Sequence, residues 1–381
     1  MRLKKQIPWR SIAVTLLAAL LGAALGYWIM SQTAPLGLLG VLGGAALLVL
    51  AYLLQILVHE GGHLVCGLLT GYRMLSFRIG RLLLVKLNGH WCLRSYHIPG
   101  TGGQCLMAPP AQEHPPYRLY HLGGGLANLL LSLLALPVLS LSSAPLLRVF
   151  AGALALTGAW FAGSNLIPMK SGGVANDGYN ACYQGRDPLA LWCSCSQLWM
   201  VEAFLEGYSI GDMPEEWFLL PPKADLNNPL ILGTAIQGAS RLLARGETEA
   251  ADQTIRRLLT GGYDLLGLHR LELTGEAIYC ALVLGRPQEA RRLYTPEVQR
   301  YWRQTLRYSP SRVRQAYAWA LLMEGDLAQA QTIRAEFDRV AARYPYPGEI
   351  PGERRLLSMA DQTFRSSAGL PPSSSAAGDS P

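Results

Sequence analysis

Two histidines and a glutamate lie close together inside a long apolar stretch of the sequence. His59, Glu60 and His63 follow the uncharged residues 35–58, and a further apolar run at 64–69 follows them. Residues four apart share one face of a helix, so both imidazoles can approach one zinc ion, which keeps an open position for water when it has three protein ligands. Glu60 would act as the general base on that water. Ionisable groups inside an apolar helix are functional candidates, although the histidines could lie at the membrane boundary without a special role.

Acidic residues are so scarce that few of them can complete such a site. Between Glu113 and Asp187 the only acid is Asp177, which follows the last apolar stretch and precedes Gly178. Its alternative role is that of a turn residue before a glycine. Four other residues are expected on the same side of the membrane and stay open as ligands: His97, Glu113, His114 and His121.

The elements that must position these residues are apolar helices. Half of the 381 residues are hydrophobic and only 15% are charged, whereas soluble proteins carry roughly 25%. Residues 1–170 contain 12 Lys and Arg residues but only two acidic residues, for a net charge of +10. Residues 171–381 contain 21 Lys and Arg residues and 24 acidic residues, for a net charge of −3. A basic half with almost no acids is typical of a membrane domain rather than a nucleic-acid-binding domain. The composition also disfavours a single soluble globule, a disulfide scaffold and a disordered chain.

Four apolar stretches are each long enough to cross a bilayer core of roughly 30 Å, which takes about 20 helical residues. We predict crossings at 11–30, from Pro35 onward, at 122–141 and at 146–167, with buried core helices as the alternative. The first stretch is interpreted as a retained anchor rather than a cleaved signal peptide. Basic residues precede the first crossing and fill the connection after the second, which predicts cytoplasmic N- and C-termini and reduced cysteines.

The histidine pair and two later elements resemble the site-2 protease family of intramembrane zinc metalloproteases, over roughly residues 50–180. Residues 123–128 (Gly-Gly-Gly-Leu-Ala-Asn) are similar to the family's Gly-x-x-Asn element, and Asn165, Pro168, Asp177 and Gly178 are similar to its Asn-x-x-Pro…Asp-Gly element. The distance from Pro168 to Asp177 is longer than is usual in the family. The resemblance implies that one zinc ion is held by His59, His63 and Asp177, with Asn128 as a polar group beside it. Without the resemblance, Asn128 could serve as an interhelical hydrogen-bonding residue.

The resemblance also implies an activity, which is the cleavage of a membrane-spanning protein or peptide near the cytoplasmic face of the membrane. We expect this membrane to be a bacterial cell membrane. Short apolar runs with glycines at 74–105 predict a β-hairpin or small sheet, whose edge could pair with an unwound substrate. At 1.5 Å per residue, a helix from Pro35 places His59 roughly 36 Å along, at the boundary of the bilayer, unless the helix tilts or starts later. Two other interpretations remain: a family member without proteolytic activity that acts as a membrane scaffold, and a transporter or channel.

The C-terminal half shows a repeat. Leu243, Leu282 and Leu322 each precede a glycine by three residues, and each glycine precedes an alanine by five. This pattern predicts helix–turn–helix pairs and looks like degenerate tetratricopeptide repeats, whose period is about 34 residues; an ordinary helical bundle with a chance repeat is the alternative. Stacked helices present a concave surface for a protein or peptide. The segment 189–206 predicts an amphipathic or buried cytosolic helix, with a fifth crossing as the alternative.

The predicted fold class is an all-α polytopic membrane domain of about four transmembrane helices, with a small β-sheet insertion after the metal helix, followed by a cytosolic α-helical tetratricopeptide-like domain. The predicted partners are a membrane-spanning substrate, the lipid bilayer and a regulatory or adaptor protein, and no nucleic acid. The predicted boundaries are an anchor at 1–34, a metalloprotease core at 35–187, an amphipathic helix and Pro-rich linker at 188–225, helical repeats at 226–362 and a disordered tail at 363–381.

Overall fold

The computed structural model describes residues 9–96, 101–112, 114–171 and 174–369, so His97, Glu113 and the end of the tail lie outside the described residues. The chain is mostly helical with a small antiparallel sheet, as predicted. It divides into two compact units. Unit 1 comprises the described parts of 1–66, 120–168 and 176–178, and unit 2 comprises those of 67–119, 169–175 and 179–381.

Long apolar helices build unit 1. Their bounds are α1 (Trp9–Thr33), α2 (Gly37–Leu69), α3 (Tyr117–Leu141) and α4 (Pro145–Leu166). Within the described residues, three stretches are long and apolar enough to cross a membrane: Gly22–Leu69, Tyr117–Leu141 and Pro145–Leu166. Many of their leucines are exposed, such as Leu39 and Leu141. Because water-soluble proteins rarely expose large contiguous apolar surfaces, this outer surface suits lipid.

The first of these stretches, 48 residues long, is not one straight helix. A 3₁₀ turn at Ala34–Leu36 and a positive φ at Gly37 end α1. A Cβ at Gly44 of α2 would lie only 2.7 Å from the Thr33 side chain. In a straight helix these two residues would be about 16 Å apart at 1.5 Å per residue, so α2 folds back along α1. The predicted break between the first two apolar segments is confirmed, while the number of crossings stays a prediction.

Small residues allow the helices of unit 1 to approach one another closely. A Cβ at Gly62 of α2 would overlap the carbonyl oxygen of Gly123 in α3, and a Cβ at Gly123 would overlap the carbonyl oxygen of Gly62. On the other side of the unit, Trp28 of α1 fills the space above Gly152 of α4, where a Cβ would lie 2.5 Å from the indole ring. The backbones of α2 and α3 are therefore in direct contact at the level of the histidine pair.

Unit 2 contains the sheet that the sequence predicts at 74–105. Its strands, in the order β3-β2-β1-β4, are all antiparallel and run through β1 (Arg73–Ile79), β2 (Leu82–Leu87), β3 (His90–Ser95) and β4 (Gly103–Ala108). A short hairpin of β5 (Lys170–Ser171) and β6 (Val174–Ala175), then α5 (Asp177–Tyr183) and α6 (Pro188–Leu205), follow α4. Pairing of the β3 edge with a substrate stays a prediction.

Helix α6 is a buried helix. One face of the sheet packs on it through Leu75, Val85 and Trp199, and the Trp199 indole donates a hydrogen bond of 3.0 Å to the Pro109 carbonyl oxygen. Burial on several sides explains why this segment is apolar without being amphipathic. Its location in the cytosol stays a prediction. Trp199 is thus part of a protein core.

The helix–turn–helix pairs predicted from the repeat are present. Gly246, Gly285 and Gly325 each end a helix with φ of 81°, 71° and 67°, a conformation that glycine adopts without the usual steric cost. The alanines that follow are buried, which lets the next helix pack closely. The tetratricopeptide assignment stays a prediction. The helices of this region are α7 (Pro229–Ala244), α8 (Thr248–Thr260), α9 (Gly267–Val283), α10 (Pro287–Leu293), α11 (Pro296–Thr305), α12 (Pro310–Ala318), α13 (Leu327–Arg343) and α14 (Ile350–Ser367).

The Gly285→Ala substitution tests the turn between α9 and α10. We expect it to lower the free energy of unfolding of unit 2 by about 1–2 kcal/mol, because alanine is strained at positive φ. Calorimetry of the full chain in detergent would measure the change. The control is Gly238→Ala in α7, where a Cβ meets no atom within 4 Å, and it should be neutral or slightly stabilising. Equal effects of the two substitutions would contradict this account of the turn.

Candidate metal centre

Three side chains of unit 1 bring potential metal ligands to one point. His59 Nε2 and His63 Nε2 lie 3.2 Å apart, and each lies 3.3 Å from Asp177 Oδ2. His63 is only 7% exposed. Among the described residues, these three form the group that could hold a metal ion. The other residues that the sequence left open are either not in this group, as for His114 and His121, or lie outside the described residues, as for His97 and Glu113.

The spacing of the three ligand atoms fits a tetrahedral metal ion. With ligands at about 2.0–2.1 Å from the ion, tetrahedral geometry places two ligand atoms about 3.3–3.4 Å apart. The observed separations of 3.2 and 3.3 Å agree with this value. Two imidazoles and one carboxylate also leave a fourth position free, which is the arrangement of catalytic rather than structural zinc sites.

Hydrogen bonds on the far side of each imidazole determine which nitrogen faces the ligand point. His63 Nδ1 lies 2.8 Å from the Tyr120 carbonyl oxygen, and His59 Nδ1 lies 2.7 Å from Asn128 Oδ1. Both partners are acceptors, so each Nδ1 carries a proton, and Nε2 of a neutral ring would present its lone pair to a metal ion. Histidines that ligate metals are normally oriented in this way by a second hydrogen bond. The structure therefore gives Asn128 a positioning role through His59.

Gln55, which the sequence analysis did not identify, orients Asn128. The Asn128 amide donates to the Gln55 carbonyl oxygen at 2.8 Å and to its side-chain oxygen at 2.6 Å, and the Gln55 amide donates to the Leu154 carbonyl oxygen at 2.9 Å. Both side chains are fully buried, where unsatisfied amides would be costly. The network joins α2, α3 and α4. Gln55 lies four residues before His59 on the same helix face, and a polar residue at that spacing was the available signal.

Glycines leave the space that the imidazoles occupy. A Cβ at Gly124 would lie 2.5 Å from His63 Nε2 and 2.7 Å from His59 Cε1. At Gly158 of α4, a Cβ would lie 2.5 Å from the Gln55 amide nitrogen. The sequence predicted a packing role for the glycines at 123–125. Gly124 has a more specific role, because any side chain there would displace both histidine rings.

Hydrogen bonds at the end of α4 position Asp177. The Asn176 amide donates to the carbonyl oxygens of Ser164 and Ile167, both at 2.7 Å. Gly178 passes so close to α4 that a Cβ would overlap the Leu166 carbonyl oxygen. In the longer connection before Asp177, Lys170–Ser171 pairs with Val174–Ala175 as short antiparallel strands.

The carboxyl group of Asp177 is in the charged form that a metal ligand requires. Burial raises its pKa, but hydrogen bonds with His59 and His63 outweigh burial and hold the pKa below its ordinary value. Metal ligation needs a deprotonated carboxylate and neutral imidazoles. The Asp177 carboxylate therefore meets the requirement for a metal ligand.

Glu60 is the remaining predicted site residue. It is adjacent to His59 on α2 and is 8% exposed. Asn165, which belongs to the same predicted element as Asp177, donates from its amide to the Phe161 carbonyl oxygen at 2.9 Å, within α4. No protein-family model, curated protein or solved structure matches the chain. The chemistry of the site is accordingly inferred from its geometry.

Metal binding tests whether the histidine rings need the space that Gly124 leaves free. We expect Gly124→Ala to lower zinc affinity at least about tenfold, as for other changes that misorient ligating histidines. Competition with a chromophoric chelator would measure the affinity of the full chain in detergent. Gly61→Ala on α2 is the matched control, because a Cβ there meets no atom within 4 Å. If both variants bind zinc like the parent chain, the histidines do not hold the ion.

Proposed function

We propose that the chain is a zinc-dependent intramembrane endopeptidase of the site-2 protease type, which cleaves a membrane-spanning protein or peptide near the cytoplasmic face. The observation that carries this proposal is the convergence of His59 Nε2, His63 Nε2 and Asp177 Oδ2 to separations of 3.2–3.3 Å among long apolar helices. Two of the three motifs that resemble the family supply these residues, and the third supplies Asn128. Zinc is proposed because imidazole and carboxylate ligands with an open fourth position suit it.

Each residue has a defined task in the proposed reaction. A zinc ion, when bound, would activate a water molecule and polarise the peptide carbonyl. The Glu60 carboxylate would take a proton from the attacking water and deliver it to the leaving nitrogen. Asn128 and Gln55 would keep the His59 ring in place while the charges around it change. Two of the three ligands would come from α2 and the third from the start of α5, where Asn176 and Gly178 hold Asp177 against the end of α4, so the ligands would need little reorganisation.

The length of α2 supports a site inside the bilayer. The helix starts at Gly37, two residues later than expected, and its 33 residues span about 50 Å, well over the roughly 30 Å of a bilayer core. Exposed apolar side chains continue past both histidines to Leu68 and Leu69. The histidines would then lie about 9–15 Å from the end of the helix. A polar pocket at that depth would supply the water that hydrolysis needs.

We also propose the finer topology that the sequence predicts. The fold-back at Ala34–Leu36 supports two crossings within the stretch Gly22–Leu69, and therefore four in total. The basic residues before α1 and between α2 and α3 favour cytoplasmic termini. The helical pairs of unit 2 would then form a tetratricopeptide-like domain in the cytosol, with reduced cysteines.

The Glu60→Gln substitution tests the proposed reaction. With a tagged single-span protein as substrate, we expect cleavage to fall at least about 100-fold, as for loss of a general base. Zinc content should stay unchanged, because Glu60 is not a proposed ligand. Fragment yield by immunoblot and zinc by mass spectrometry would measure the two quantities.

A matched acid-to-amide change in the same assay is Glu249→Gln, since Glu249 is exposed on α8. That variant should cleave like the parent chain. If parent and Glu60→Gln chains give the same fragment, the protease proposal fails. If neither gives a fragment while zinc is bound, the inactive scaffold is favoured instead.

A further inference from the structure

Unit 2 contains a cavity of about 700 Å³ that the proposed function does not use. Its size falls within the range of roughly 300–1,000 Å³ that is typical of ligand pockets. Helices α7, α9, α11, α12 and α14 contribute to its wall. Six charged residues line it, and the four carboxylates outnumber the two guanidinium groups: Glu272, Glu276, Glu349, Glu353, Arg312 and Arg314.

The two arginines are already committed to three of the glutamates. Arg314 is 1% exposed and binds Glu276 at 2.7 Å and Glu353 at 2.7 Å. Arg312 lies 3.6 Å from Glu272. Glu349 makes no ion pair with a basic side chain in the described part of the chain. One carboxylate in the wall therefore lacks a cation.

Glu349 is held in an unfavourable environment for a charged group. It receives a hydrogen bond of 3.0 Å from the Tyr344 hydroxyl. Burial raises the pKa of Glu349 to about 8, and the charges of Glu353 and Glu272 act in the same direction. A buried carboxyl group that weakens the fold when it ionises is a candidate for a functional group.

Aromatic rings in the wall suit the cation of a side chain. Tyrosine rings, which attract cations, line the cavity, and those of Tyr96 and Tyr344 lie 6.3 Å apart beside Glu349.

We propose that this cavity binds a short polypeptide segment that carries a lysine or arginine side chain. The cation of that side chain pairs with Glu349 and contacts the rings of Tyr96 and Tyr344. Cytoplasmic flanks of membrane-spanning helices are rich in lysine and arginine, so the flank of a substrate is the occupant that we assign. This assignment of the occupant rests on the proposed function, whereas the cation site does not.

The protonation of Glu349 gives the binding a defined dependence on pH. The described groups that interact electrostatically with it are Tyr96, Tyr344, Tyr346, Glu272 of α9 and Glu353 of α14. Below about pH 8, Glu349 must lose a proton before it can pair with a cation. Peptide affinity should therefore rise with pH, by up to about tenfold per unit, and level off near pH 8.

The test uses the full chain in detergent with Glu60→Gln in the background, so that no cleavage interferes. The probe is a fluorescein-labelled eight-residue Ala/Ser peptide with two arginines, and its control has citrulline, the neutral analogue, in their place. By fluorescence anisotropy, the arginine peptide should bind at least about tenfold more tightly, the usual scale for a charge-assisted hydrogen bond. A further Glu349→Gln substitution should remove this preference and the pH dependence. Glu297→Gln, at an exposed residue of α11, should leave both unchanged.

Folding of the Glu349→Gln variant is checked by its thermal midpoint. The pKa of Glu349 is raised in the folded chain, so its ionisation costs stability as pH rises from about 4.5 towards 8. The variant should therefore melt above the parent chain at about pH 8 and close to it at about pH 5. A midpoint that is lower at both pH values would make Glu349 a structural residue and overturn the assignment.

Three other results would overturn the inference. The citrulline peptide could bind as tightly as the arginine peptide, or the Glu349→Gln chain could bind the arginine peptide as tightly as the parent chain. Alternatively, spermidine could displace the arginine peptide at an equal concentration, which would make a polyamine the ligand. Cleavage is measured separately with the Glu60-containing chain. Lost cleavage with intact peptide binding would contradict only the proposed function, and lost peptide binding with intact cleavage would contradict only this inference.

Discussion

The contact between the backbones of α2 and α3 at Gly62 and Gly123 determines the orientation of both histidines in the metal centre. With a side chain at either position the helices would have to move apart, because a Cβ would overlap a carbonyl oxygen of the facing helix. Asn128 would then lose His59, and the Tyr120 carbonyl oxygen would lose His63. Both imidazoles would be free to rotate. Close approach of two glycines is therefore the constraint that turns two histidines on an apolar helix into an oriented pair of ligands.

Because the amides and imidazoles around the site are buried, each of them must keep its hydrogen-bond partner, and this requirement stabilises the orientation of the histidines. Amides and imidazoles in an apolar interior must find partners, and an unpaired one costs on the order of several kcal/mol. In unit 1 the chain of bonds from Leu154 through Gln55 and Asn128 to His59 satisfies these groups. The polar groups hold α2, α3 and α4 in one arrangement, and that arrangement holds the ligands. The site and the packing of the unit are thus mutually dependent.

Local patterns predicted much of this molecule. The four-residue spacing of His59 and His63 fixes a shared helix face, and the repeat glycines predicted the turns that end helices in unit 2. Asp177 could be predicted as the third metal ligand because acidic residues are scarce in this part of the chain and because the sequence resembles a known family. The spacing of Gln55 from His59 placed it on the same helix face, but its bonds to Asn128 and Leu154, like the contact of Gly158, depend on which helices touch, and the sequence of one helix does not contain that information. The cavity around Glu349 escaped for the same reason, since it collects residues from many separate helices.

Zinc K-edge X-ray absorption on the purified chain tests most directly whether the crossing of α2 and α3 builds a metal centre. We predict two imidazole nitrogens and oxygen ligands at about 2.0–2.2 Å in a four-coordinate shell. The His63→Ala chain should show one imidazole fewer. A shell of sulfur ligands, six oxygens without imidazole, or a spectrum that His63→Ala leaves unchanged would contradict the account.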